Sequence, residues 1–326
     1  MEFTCKEAGR LDSVMSEALG LPRNQIEKLI KTQGVEVEGK KIVKNSFKLL
    51  GGETIVYEFV QAVIQESPYE VDFDVSILYE DDYLLVVNKP PFLTVHGAPS
   101  VKEATLVDWL QKKGISLSTL SGEERHGIVH RIDKETSGAL VIAKTNEAHL
   151  ALSKQLEDKS MGRYYVAIID VPLRENIVVD LPIRRSTNNR LKMDIHKEGR
   201  IAKSAFCKLA LSRDEKKELI GAKLFTGRTH QIRVHLHALS RHVLGDSLYG
   251  FKSQSGTIPR VMLHASMLYL IHPHTNEPLS VHAPLMEDFE NVLAHTFNKE
   301  DYYDKIKPYS IAECFSDTHQ WMRKDH

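Results

Sequence analysis

Cysteine is scarce: three residues in 326, at positions 5, 207 and 314, with no Cys-x-x-Cys pair. That usage offers neither a disulfide framework nor a zinc cluster, and the cytoplasm is the expected compartment. No run of about 18 apolar residues exists, so no membrane span is expected. The opening MEFTCKEAGRLDSVM carries acidic residues and no apolar core, unlike a secretory signal. Neither sign of charge dominates: the formal net charge is −1. What remains is ordinary globular material, 42% hydrophobic and 27% charged. The length fits about two domains.

The near-zero total hides an uneven distribution. Residues 184–233 hold 14 Lys/Arg against 5 Asp/Glu, whereas 287–326 hold 5 against 9. A basic middle of this kind can meet phosphates, or it can simply be a solvated face. Residues 61–82 contain no Lys or Arg and seven acidic residues. A self-repelling linker over 61–75 fits that run.

Residues 1–60 read as a small unit. RLDSVMSEALG and PRNQIEKLIKTQG repeat apolar residues at helical spacing, and VEVEG, KKIV and ETIVYEF read as short strands. Arg10, Arg23, Lys28 and Lys31 are placed on the helices. The pattern resembles the alpha-L RNA-binding motif. Its charges balance at nine against nine, so RNA affinity requires the basic residues to gather on one face. Beyond the linker, ILYEDDYLLVVNKPP reads as a hairpin turning at Asp81-Asp82. Further strands are expected at 138–144, 163–169, 201–211, 218–225 and 263–271. Helices are expected at about 104–113, 146–159, 229–239 and 285–296. Strands dominate without regular strand–helix alternation. An α+β domain with a large, mostly antiparallel mixed sheet is expected over 76–297. Residues 298–326 read as a polar tail, loosely packed.

Three segments carry chemistry. In HRIDKETSGALVIAKT (130–145), Asp133 sits among cations that favour a charged carboxylate, before a Thr-Ser-Gly turn and an apolar strand. An Asp held on such a loop is preorganised for catalysis, or it is a structural partner of Arg131. In TGRTHQIRVHL (226–236), Thr229 is expected to cap a helix, and Arg228 and Arg233 offer forked donors. Histidines 230, 235, 237 and 242 fall near it. No His-Glu-x-x-His or close carboxylate completes a metal site there. In MGRYYVAIID (161–170), Tyr164 and Tyr165 point to opposite faces of a strand, so one of them can line a pocket and stack on a nucleobase.

In this order and spacing the three segments resemble the signatures of the RluA family of RNA pseudouridine synthases. VVNKPPFLTVHG, GDSLYG and MLHA resemble that family's flanking segments, over about residues 70–290. The N-terminal unit resembles the RluC/RluD-type branch. The resemblance implies an enzyme that isomerises uridine to pseudouridine in structured RNA, with no cofactor and no metal; a monomer is expected. Ribosomal RNA of the large subunit is favoured over transfer RNA. It implies Asp133 as the essential carboxylate, Tyr165 as the stacking ring with Tyr164 second, and Arg233 as the partner of Asp133. Arg131, Arg228, His130, Ile232 and Leu263 are implied around the substrate. The family's Lys-x-Tyr pattern reads Arg163-Tyr164-Tyr165 here. Basic residues of 184–233 are implied to contact phosphates.

Overall fold

Apolar residues at helical spacing bury the first two helices against each other, as their pattern requires. The computed structural model describes residues 1–21, 23–58, 68–120, 125–250, 258 and 260–325. In chain order, β1 (Glu2–Thr4) and β2 (Gly9–Arg10) precede α1 (Leu11–Leu19) and α2 (Arg23–Thr32). Then come β3 (Val35–Val37), β4 (Lys40–Ile42), β5 (Lys48–Leu49) and β6 (Thr54–Val56). Leu11, Met15, Ile26, Ile30, Val35 and Ile55 form the core under the small sheet β1-β6-β3-β4. Leu120, from the following domain, closes that core.

Arg10 lies just before α1, and Arg23 opens α2. Both guanidiniums grip the buried Asp12, each with an Nη2–Oδ2 distance of 2.8 Å. The hydrogen bond from Arg10 leads in holding this carboxyl down at about 2. Two of the four expected RNA-facing cations are thus tied to one internal acid, while both side chains stay about half exposed.

The acidic linker divides. Positions 61–67 lie outside the described residues. From Tyr69 the chain lies on the next domain: Val71 and Val75 are buried in its core, with Tyr69 and Phe73 packed beside them. Alternating apolar residues dock this stretch although acids lie between them.

The main sheet has ten strands in the order β18-β11-β14-β15-β10-β16-β9-β8-β7, with β17 added on β16. These are β7 (Ser76–Glu80), β8 (Leu84–Lys89), β9 (Ser137–Ala143), β10 (Gly162–Ile169) and β11 (Ile177–Asp180). The rest are β14 (Lys203–Leu211), β15 (Glu218–Leu224), β16 (Leu263–Ile271), β17 (Pro278–His282) and β18 (Met322–Lys324). A separate basic hairpin pairs β12 (Ile183–Arg185) with β13 (Met193–Ile195). Only β9–β16 and β11–β18 are parallel pairings among the named strands. The expected mixed, mostly antiparallel sheet is present. Central strands are buried on both faces, so they read as continuous apolar runs such as LLVV and ALVIA.

Helix α3 (Leu106–Lys112) starts at a capping box between Thr105 and Asp108. Thr145 caps α4 (Asn146–Asp158) by accepting from the Ala148 N–H at 3.1 Å. Helices α5 (Gln231–Ala238) and α6 (Glu287–Thr296) complete the expected set. The tail differs from expectation. It forms α7 (Lys299–Tyr302) and α8 (Pro308–Cys314), and its last strand joins the main sheet edge. Ile311 and Phe315 are buried in the principal core. A few well-placed apolar residues outweigh the polar composition.

Burial drives several histidines neutral. His96, His149, His235 and His264 are each held down at about 4, with desolvation the largest cause. The unfolded chain takes up these protons near pH 6.5, while the fold refuses them until about pH 4. Stability is therefore full above pH 6.5 and is lost as pH falls toward 4. The midpoint of urea unfolding is expected to drop steadily across that window. A flat midpoint from pH 7 to 4 contradicts this.

Candidate active site

Asp133 follows an isolated bridge strand and precedes β9, on a loop closed by the Thr136 N–H donating to the Asp133 carbonyl at 3.1 Å. Gly138 sits at φ +113° where β9 meets β16, and a Cβ there would fall 2.3 Å from the Ala265 carbonyl oxygen. Only glycine lets this loop run directly into the sheet seam. A second tie comes from Lys89, at the end of β8 and fully buried. Its Nζ donates to the carbonyls of Pro90, Leu93 and Lys134 at 2.7, 2.9 and 3.1 Å. Burial pulls its ammonium down to about 7, opposed by the charge of Asp133. Lys89 thus staples the NKPP loop to the Asp133 loop.

The cations that hold Asp133 are not its sequence neighbours. Lys134 turns away to Glu103 at 2.7 Å, and Arg131 donates to His96 Nε2 at 3.3 Å. The partner is Arg233 on α5, whose Nη1 lies 3.2 Å from Asp133 Oδ2. Arg233 is in turn fixed by Asp246: its Nε and Nη2 donate to that carboxylate at 2.6 and 2.8 Å. Asp246 is fully buried and also accepts the N–H groups of Leu248 and Tyr249 at 3.1 and 3.2 Å. The Tyr249 ring lies against the guanidinium, 5.1 Å from Cζ to centroid. One arginine therefore bridges two carboxylates.

Thr229 does not cap α5. The N-cap is His230, in the left-handed region at φ 55°, with no side-chain cap. That strained backbone aims its ring at the site. Its Nδ1 is 2.9 Å from the Tyr249 hydroxyl, and its Nε2 is 4.0 Å from Asp133 Oδ1. Tyr249 Oη accepts the Met193 N–H at 2.8 Å, linking the basic β12–β13 hairpin to the site. Burial pushes the Tyr249 phenol up to about 12 and lowers His230 below its ordinary value.

These groups surround a cavity of about 110 Å³, several times the room one water needs. It is lined by Asp133, Tyr165, Arg233, Arg131, Arg228, Ile232 and Leu263, with Arg163 and His230 added. The structure thus gathers seven of the nine site residues expected from sequence. It does not gather Tyr164 or His130. Tyr164 faces the opposite side of β10, packing on Tyr269 and Phe315 at centroid distances of 5.4 Å. The alternation of β10 sends one tyrosine to each face, and Arg163 and Tyr165 share the cavity face. His130 lies behind the wall, with Nδ1 3.2 Å from Arg163 Nη1 and Nε2 3.3 Å from the Val141 N–H. A neutral ring accepts at only one nitrogen, so one of these contacts is electrostatic alone. Burial, then Arg163, holds His130 well below its ordinary value. Among the described residues, no three His, Cys, Asp or Glu side chains converge as metal ligands.

Comparison with known proteins decides the family. Residues 83–238 match the family described as RNA pseudouridylate synthase, and residues 9–55 match the S4 domain. A Helicobacter pylori protein, named an uncharacterized RNA pseudouridine synthase, is 43% identical over 313 residues, 94% of this chain and 95% of that one. The ribosomal large subunit pseudouridine synthase D of Xanthomonas campestris is 33% identical, covering 87% of this chain and 88% of its own. The solved structure of human RNA pseudouridylate synthase domain containing 1 superposes with TM-score 0.53 at 27% identity, over 65% of this chain and 84% of that one. This chain belongs to the RNA pseudouridine synthase family.

The synthase is accordingly an RNA-modifying isomerase with the RluA-family architecture, an S4 domain ahead of a pseudouridine synthase fold. No helix among the described residues of this synthase is long and apolar enough to cross a membrane. Sequence reasoning passed over Lys89, His230, Asp246 and Tyr249 as members of the site. GDSLYG carried the signal for two of them: a Gly-Asp turn followed three residues later by an aromatic ring. Gly245 adopts φ +80° there, with the Arg260 carbonyl 1.8 Å from any Cβ.

Proposed function

We propose that Asp133 is the catalytic carboxylate of uridine isomerisation in this synthase. The observation that carries this is the Arg233 bridge, which places one oxygen of Asp133 at 3.2 Å from a guanidinium anchored on Asp246. The isomerisation breaks the bond from ribose C1′ to uracil N1, turns the base, and joins C1′ to C5. The C5 proton leaves and N1 gains one, so the reaction balances without an added reagent. A fixed, partly exposed carboxylate serves at C1′, or takes a proton beside it. Tyr165 supplies the ring on which the base stacks, and Ile232 and Leu263 form the apolar walls. Arg131 and Arg228 meet the backbone around a uridine extruded from its helix. The basic β12–β13 hairpin adds phosphate contacts, making affinity salt-dependent.

The substrate proposed is large-subunit ribosomal RNA, acted on by a cytoplasmic monomer without cofactor. The S4 domain and the relatives named for the ribosomal large subunit support this reading. Mapping of pseudouridine in total RNA, with and without the gene, is the test. Sites lost from the large-subunit RNA are expected. Losses confined to transfer RNA would replace that target.

A further inference from the structure

Arg163 is an anomaly in this fold. It is only 6% exposed, yet no carboxylate pairs with it among the described residues. Its Nη1 approaches the neutral His130 ring at 3.2 Å, and its Nε has no hydrogen-bond partner among the described residues. Other buried arginines are handled differently: Arg233 is clasped by Asp246 and Asp133, and Arg260 by Asp288 at 2.6 Å. An unpaired buried cation costs free energy, and such a cost persists where the charge has work to do.

Its placement indicates that work. Arg163 and Tyr165 stand two residues apart on β10 and line the same cavity as Asp133. Gly227 lies across from it, where a Cβ would sit 3.2 Å from Nη2. The absence of a side chain at 227 leaves the guanidinium its room. The floor beside the stacking ring is therefore a cation with free donors. Uracil offers carbonyl oxygens to such donors. When the N1–C1′ bond breaks, its electron pair stays on the base, and negative charge spreads over N1 and both carbonyl oxygens. That charge is discharged when C5 bonds to C1′, the C5 proton leaves and N1 is protonated.

We propose that Arg163 is a catalytic residue that donates to a carbonyl oxygen of the target uracil and stabilises the negative charge the base carries between bond breaking and bond making. The proposal rests on the cavity being the uridine site. It accounts for an arginine kept buried without a counter-ion: the counter-ion is the departing base. A preorganised donor facing developing charge is worth about 10²- to 10³-fold in rate.

The test uses the full chain and unmodified large-subunit ribosomal RNA, with transfer RNA as a second pool, both labelled with tritium at uracil C5. Tritium release is followed under single-turnover conditions, alongside RNA affinity by filter binding and urea unfolding. Arg163→Met is expected to slow release about 10²- to 10³-fold, with RNA affinity within about threefold of the parent. Arg163→Lys, which keeps the charge, is expected to recover most of the rate. The unfolding midpoint of Arg163→Met is expected to stay level or rise, because an unpaired buried charge has been replaced by an apolar side chain. A structural role predicts the reverse, a drop in stability together with the rate. Arg163→Met at parental rate, or slowed and destabilised with no rescue by lysine, overturns the proposal. The unsubstituted chain and Asp133→Asn run beside it. If Asp133→Asn releases tritium at the parental rate, the reading of the cavity fails instead.

Discussion

Asp133→Asn is expected to lower turnover on RNA about ten-thousandfold, the upper range for a single acid–base group. The amide matches the carboxylate in shape but carries no charge and takes up no proton. The cavity should survive the change, because Arg233 is held mainly by Asp246, through bonds of 2.6 and 2.8 Å against 3.2 Å to Asp133. The expected signature is therefore specific: RNA affinity and unfolding midpoint stay near the parent while tritium release from C5-labelled uridine stops. Retained activity would remove Asp133 from the chemistry. Lost activity together with lost folding would mean that the loop, not the carboxylate, had been damaged.

The second large effect is expected at Asp246, which the cavity does not touch. Asp246→Ala leaves the buried Arg233 with one partner instead of two and orphans the N–H groups of Leu248 and Tyr249. Removing one member of a buried ion pair costs about 3–5 kcal/mol, because the remaining charge stays desolvated. Urea unfolding should show that loss directly. Turnover should fall as well, about a hundredfold, since Arg233 no longer holds Asp133 in a fixed place. Asp246→Asn should lie between the two, as its oxygen can still accept the backbone N–H groups. A parental unfolding midpoint for Asp246→Ala would show that the bridge contributes nothing to the fold.

Much of the architecture was legible because it rests on local rules. The apolar runs 84–87 and 139–143 read as buried strands because they are buried on both faces, and the Gly/Asp turns marked their ends. The expected helices stand within about two residues of their observed bounds. The cap of α5 differs for a physical reason: Thr229 is a good cap by composition, but the chain passes through a left-handed His230 that no capping preference anticipates. Parity on β10 was legible, but which tyrosine faces the cavity depends on the sheet's neighbours. The pairing of Arg233 with Asp133 spans 100 residues and entered only through family resemblance. The tail was misread because composition averages over it, whereas docking needs only Ile311 and Phe315.

The position of β16 has a kinetic consequence. It lies between β10 and β9, joined to β9 by the pairs His264–Ser137 and Ala265–Gly138. The two halves of the sheet therefore cannot meet until a strand made 127 residues after Ser137 slides between them. Contacts of such sequence separation form late and slowly. During refolding, helix and hairpin signals should return first, with RNA-modifying activity trailing behind them. The Asp133 loop abuts that seam, so the enzyme acquires its chemistry in the last step of its own assembly.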